Sequence, residues 1–187
     1  LPCLSATGSY YSFAVIGHRG HAANTSLSGD VTVEVVRGGI TIQGGNGIAG
    51  TTAADTPPDI RLHGAQIGHG GYNISGAGLS GSVRVLAQSD IVLRAGTARH
   101  SAVLIGHGGY LSSGAMGLAG DVIEVVSREG SLELDSSQAP ANPVDGGGVY
   151  IGHGAPALTA GVRQGDILVD VAGEISFVGA LPTWIGH

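Results

Sequence analysis

Five of the eight histidines stand in one setting, the tripeptide Ile-Gly-His, at residues 16–18, 67–69, 105–107, 151–153 and 185–187. An imidazole can exchange a proton near neutral pH, ligate a transition metal, or pack as a ring that also hydrogen-bonds. Catalysis calls for one constellation of groups with distinct roles, and five equivalent copies do not make one. Metal ligation calls for convergent ligands, yet no carboxylate or thiolate recurs beside the tripeptide, and Cys3 is the only cysteine. Alternation along Val103, Ile105 and His107, repeated by Val149, Ile151 and His153, turns the ring inward at a strand end. The favoured reading is a histidine ladder at a corner, each ring stacked on the next and hydrogen-bonded to turn backbone. Metal binding along that ladder is kept as an alternative, and no residue is assigned a catalytic, cofactor-binding or metal-ligating role.

A second recurring group is the aspartate of a Gly-Asp element, at Asp30, Asp121 and Asp166, with Ser82 in the same slot. Serine cannot replace a carboxylate as acid, base or calcium ligand. Both side chains can accept a backbone N–H at a turn, so a turn cap is expected.

The histidine-to-histidine spacings of 51, 38, 46 and 34 residues describe a period near forty with insertions. Two elements follow each copy in fixed order. The first is Val31–Val33, Val83–Val85, Val122 onward and Ile167–Val169, each opened by Gly-Asp or Gly-Ser; the second is Ile40–Ile42, Ile91–Leu93, Leu132–Leu134 and Ile175–Phe177. Val31, Val33 and Val35 alternate with Thr32 and Glu34, the period of a strand with one apolar face. In "GDVIEVVSREG" Glu124 breaks that alternation, which predicts a one-residue bulge or register shift. Leu27, Leu79, Leu118 and Val162 recur late in the link that follows each tripeptide and are expected to plug the core. The link between the third strand and the next tripeptide varies widely, from "VGALPT" to "QGGNGIAGTTAADTPPDIRLHG", and is expected to project.

Three short strands per turn, each recurring after one period, are satisfied by winding the chain into a coil whose apolar faces meet. The expectation is therefore an all-β fold, a parallel β-helix or β-solenoid of about four turns, forming one domain over residues 1–187.

Composition agrees. The 187 residues include 35 glycines and few aromatics, which disfavours a helical protein, while the apolar content disfavours disorder. All eight cations are arginine and the formal charge is −6, so nucleic acid is not an expected partner. No apolar run reaches the roughly 20 residues of a membrane span. The outward positions Thr32, Glu34, Arg84, Leu86, Leu168 and Asp170 mix signs and polarity and form no paired-carboxylate cluster of the kind a β-helical lyase or hydrolase needs.

Ile-Gly-His-Gly, a Gly-rich link, Gly-Asp-Val/Ile-x-Val and Ile-x-Leu together resemble the β-helical repeats of large bacterial surface proteins, the filamentous-haemagglutinin-like and autotransporter-like adhesins, over residues from about 14 to 187. The period here is longer than the turns common in those proteins. The resemblance implies a right-handed parallel β-helix acting as an extracellular or cell-surface stalk or adhesin without enzymatic activity, and it transfers no catalytic residue. The expected function is thus structural, a subunit or segment of a fibre assembled with itself by end-to-end stacking. A carbohydrate-active or carbohydrate-binding module, with surface carbohydrate as partner, is the rival from another class.

Overall fold

The computed structural model describes residues 3–5, 13–21, 24–46, 63–75, 78–98, 100–109, 112–139, 147–154, 161–179 and 181–187. Those residues are all-β. They contain no helix, and so none long and apolar enough to cross a membrane. Of the sequence expectations, the projecting insertion falls mainly on 47–62, outside the described residues, as does the Cys3 side chain.

Three sheets of parallel strands carry the architecture, beside two short pairs in the links, β3 (Arg19–His21) with β8 (Gly70–Tyr72) and β4 (Leu27–Ser28) with β9 (Leu79–Ser80), and the chain visits the three sheets in a repeating order. The strands that lead into Ile-Gly-His form a five-stranded sheet, here the histidine sheet: β2 (Ala14–Ile16), β7 (Ala65–Ile67), β12 (Val103–Ile105), β15 (Val149–Ile151) and β18 (Thr183–Ile185). The Gly-Asp strands form a four-stranded sheet: β5 (Val31–Val35), β10 (Val83–Ala87), β13 (Val122–Ser127) and β16 (Asp166–Val171). The third strands form another five-stranded sheet: β1 (Cys3–Ser5), β6 (Ile40–Gln43), β11 (Ile91–Arg94), β14 (Leu132–Asp135) and β17 (Ile175–Val178). Every neighbour in each sheet comes from the adjacent repeat, the pairing expected when like residues of successive turns stack.

Register explains the core. Val31, Val83, Ile123 and Ile167 form one column, Val33, Val85, Val125 and Val169 the next. Opposite them run Ile40, Ile91, Leu132, Ile175 and Ile42, Leu93, Leu134, Phe177. The histidine sheet contributes Ile16, Ile67, Ile105, Ile151 and Ile185. In the middle repeats these side chains are fully buried, each worth roughly 1.5–3 kcal/mol relative to exposure. β-Branched residues suit such columns because their stiff side chains stack on the pleat without losing rotamers.

The suspected shift in the third repeat is present. Val83 pairs with Ile123, not with Val122, so the inserted residue restores Ile123, Val125 and Ser127 to the interior and sends Glu124 outward beside Arg84. Their side chains approach to 3.1 Å.

Two expectations are corrected. Leu118 and Val162 do not plug the core; they are 54% and 62% exposed. The positions in register with Leu27 and Leu79 are Met116 and Arg163, and Leu79 and Met116 are buried with Ile74 in a small second cluster. Five residues lie between Met116 and Val122 where two lie between Leu79 and Ser82, so Leu118 falls off register and the flexible thioether of Met116 fills the place; Val162 stands one residue before the in-register Arg163. Nor does every strand have one solvated face: Gln66, Leu104 and Tyr150, on the side of the histidine sheet away from the main core, are buried too. A continuous apolar run such as "AVLIG" is how a strand buried on both faces reads.

Candidate functional site

The glycine of each tripeptide makes the corner. Gly17, Gly68, Gly106, Gly152 and Gly186 have φ from +135° to +155°, a region L side chains rarely adopt. They also stack: a Cβ on Gly68 would stand 2.1 Å from the carbonyl oxygen of Gly106, and one on Gly106 would stand 1.9 Å from that of Gly152. The turn at each strand end then throws the following histidine back over the corner.

Five imidazoles form one column. Ring centroids from His18 through His69, His107 and His153 to His187 are 4.7, 5.0, 4.9 and 4.7 Å apart, with the last four rings within 7° of parallel. This is strand spacing carried out to the side chains. His69, His107 and His153 are almost wholly buried.

The hydrogen bonds fix the chemistry of each ring. The backbone N–H of His18 donates to His69 Nδ1 at 3.0 Å, His69 to His107 at 3.1 Å, His107 to His153 at 3.2 Å and His153 to His187 at 3.1 Å. Nδ1 of these four rings is therefore an acceptor and Nε2 carries the hydrogen. Nε2–H donates to the Gly29 carbonyl from His69 and to the Gly81 carbonyl from His107, both at 2.7 Å, and to Gly165 from His187 at 3.1 Å. In the third repeat the inserted residue displaces the equivalent glycine, and His153 engages the backbone of Gln164. His69, His107 and His187 thus each tie the strand end of one repeat to the Gly-Asp turn of the repeat before and satisfy two backbone groups at bends that the sheets leave unpaired.

Burial sets the protonation state. It depresses the pKa of His107 to about 4, only partly offset by the Gly81 carbonyl, with the neighbouring His69 pushing the same way. Burial likewise takes His153 to about 3, aided by His107, His187 and the Arg163 guanidinium, and lowers His69 despite its bond to Gly29. A ring protonated at Nδ1 would turn an N–H toward the N–H that now donates to it, so geometry and solvation demand the same neutral tautomer.

In that tautomer the one lone pair of each bonded ring is spent on a backbone N–H, and the rings lie face to face instead of converging. Among the described residues no three His, Cys, Asp or Glu side chains group as a metal site. The column can stack, cap and exclude charge.

The Gly-Asp slot forms a second ladder. Ser82 N–H donates to Asp30 Oδ1 at 2.9 Å, and Val122 N–H to Ser82 Oγ at 3.2 Å. Here each side chain accepts from the following repeat, whereas each histidine accepts from the preceding one. Asp121, displaced by the insertion, instead takes Gly81 N–H at 2.9 Å and Leu118 N–H at 2.7 Å. The turn-cap expectation for Asp30, Ser82 and Asp121 is thus met, while Asp166 lies in the last strand of its sheet, with no following repeat among the described residues.

Sequence reasoning missed three groups. Asp90 and Ser131 cap the next corner in the same direction, accepting N–H from Ser131 at 2.8 Å and Glu174 at 3.2 Å; the recurring polar residue before "IVL", "LEL" and "ISF" was the available signal. Gln66 sends its amide to the carbonyls of His69, Gly106 and Gly108 at 2.9–3.2 Å, binding the tripeptide corner from the far side. Arg94 pairs with Glu133 and Asp135, both at 2.8 Å, on the outward face of the third sheet; register alone brings these three together.

Compared with protein-family models, curated proteins and solved structures, the chain matches none.

Proposed function

We propose that this chain is a structural protein, a right-handed parallel β-helix of three strands per turn and about four turns, serving as a subunit or segment of an extracellular fibre or surface adhesin. The observation that carries the reading is the in-register stacking of one histidine through five repeats, with Nδ1 of the last four rings committed to the backbone. Such a column is a device for stacking, and it assigns no catalytic residue. The resemblance to filamentous-haemagglutinin-like and autotransporter-like repeats favours the same role and an extracellular or cell-surface location.

End-to-end extension is the second half of the proposal. Leu132 and Leu134 are fully buried, while Ile175 and Phe177, which follow them in the same columns, are 43% and 54% exposed. Burying those faces against a further repeat adds apolar area of the kind that stabilises the interior. Electron microscopy of the native material tests this: a fibre with an axial repeat is expected, and dispersed isolated particles would overturn it.

One observation favours the rival carbohydrate-binding reading, the pair of close carboxylates Glu133 and Asp135 on an outward face. Arg94 bonds to one oxygen of each, and the three groups together leave a polar platform. A glycan-array screen with Arg94→Ala as control is the measurement; binding lost in the variant would support it.

A further inference from the structure

Each link from a tripeptide to the next Gly-Asp element is an excursion from the coil, and the histidine column closes its base. The ring of His69, where the second link leaves, donates to the carbonyl of Gly29, where the first link returns. His107 does the same between the start of the third link and Gly81, where the second returns. The start of each link is held once more from the next repeat, since the N–H of His69 and of His107 donates to Nδ1 of His107 and His153. The links are also braced to one another, β3 to β8, β4 to β9, and Leu79 through Met116 to Arg163. What they bury among themselves is small. Their cluster among the described residues is Ile74, Leu79 and Met116 with Leu27 against it, whereas twenty buried side chains fill the space inside the three sheets. Two-rung pairs with so little apolar cover are marginal on their own, so the links depend on the column at their base.

From this arrangement we infer that the histidine column is an acid-released clasp: protonation of its inner rings opens the links together while the three sheets stay folded. A proton added at Nδ1 of His107 sets an N–H against the His69 N–H that now donates there, so the bond breaks and the ring leaves its seat. Once one ring has left, its neighbours at 4.9 and 5.0 Å lose part of the burial that kept them neutral, and they protonate in turn. Burial outweighs every charge that faces the column. Asp30 beside His69 and Asp121 beside His107 favour the charged form, while His18, the inner rings themselves, His187 and the Arg163 guanidinium oppose it.

The sheets have no such trigger. Their interior columns, Val83 with Ile123, Val85 with Val125, Ile91 with Leu132 and Leu93 with Leu134, are aliphatic and have no proton to gain. The sign and size of the effect on the links follow from linkage. His107 and His153 have pKa values of about 4 and about 3 in place, against about 6.5 once released. The open form therefore binds the protons, and its share grows as pH falls below 6.5. Between pH 7.5 and 5 each ring multiplies the open population by about 30, and two rings released in one step multiply it by about a thousand.

Hydrogen exchange of the purified chain, read by mass spectrometry and corrected for the intrinsic effect of pH, tests the clasp. From pH 7.5 to pH 5, protection of the links, at residues 69–75 and 112–118, is expected to fall about a thousand-fold. Over the same interval the sheet strands Val83–Ala87, Ile91–Arg94, Val122–Ser127 and Leu132–Asp135 are expected to lose less than tenfold. His107→Asn keeps an acceptor for the His69 N–H but cannot take up a proton in this range, and it is expected to cut the fall in the links to about 30-fold. Should the variant be unprotected already at pH 7.5, the comparison of links with sheets in the parent chain still decides. Equal loss in links and sheets would overturn the inference, because acid would then unfold the coil as a whole. So would link protection that does not change between the two pH values, or a folded His107→Asn variant that falls as far as the parent.

Discussion

The histidine corner and the Gly-Asp corner solve one problem in opposite ways. Both use a side chain to hold a backbone N–H that a bend has removed from the sheet. At the histidine corner all five rungs carry the same residue, and the central three rings are nearly free of water. At the Gly-Asp corner the slot takes aspartate or serine, its members are exposed or half-exposed, and an inserted residue in the third repeat is absorbed by turning Asp121 toward Gly81 and Leu118. The difference teaches that identity is demanded where failure leaves a polar group dry. Where water can replace a lost partner, several residues serve.

Acid should break the comparison most strongly. His107 and His153 have folded pKa values near 4 and 3 against about 6.5 unfolded. Between those limits the unfolded chain binds more protons than the folded one. The contribution is therefore complete above pH 6.5 and lost as pH falls toward 4, by on the order of 3 kcal/mol for each ring. Urea midpoints at pH 7.5, 5.5 and 4 are expected to fall in that order; a flat profile would show that the rings are not held neutral. Next in size is Gly106→Ala, which sets a Cβ 1.9 Å from the Gly152 carbonyl at a φ of +136° and should cost roughly 4 kcal/mol or more. Its counterpart at the other corner, Gly120→Ala, meets nothing within 4 Å and should cost only the roughly 1–2 kcal/mol of a strained φ. Equal losses in the two variants would erase the distinction.

His107→Ala strands the His69 N–H and the Gly81 carbonyl in a buried place, for about 3 kcal/mol. Calorimetry should show a large fall in Tm for it. Asp30→Ser imitates what the second repeat already does at Ser82, and the change should stay within about 0.5 kcal/mol.

Much of this was legible because the repeat marks equivalent positions. Alternation placed Val31, Val33 and Val35 inside, and Glu124 announced the shift that the register of Ile123 explains. The ring stack was readable from the parity of Val103, Ile105 and His107 alone. The direction of the hydrogen bonds was not. Whether Nδ1 accepts from the rung before or the rung after depends on the twist of the corner, which spacing does not carry. Leu118 and Val162 misled because an aliphatic near a turn was equated with its homologue by order, while the insertion had moved the register of the third repeat to Met116 and that of the fourth falls on Arg163, one residue past Val162. Arg94, Glu133 and Asp135 were out of reach for a related reason: they meet across adjacent strands, and only pairing in three dimensions shows that Arg94 lies opposite Asp135.

The glycine column has a consequence for how such a chain can change. Gly68 must be glycine because Gly106 lies against it, and Gly106 because of Gly152. A point substitution at any of them is judged by its neighbours, whereas a whole repeat arrives with its own glycine, histidine and aliphatics in place. Duplication or excision of complete repeats is then the gentle route of variation, and overall length becomes a more freely heritable trait than the identity of any residue at the corner.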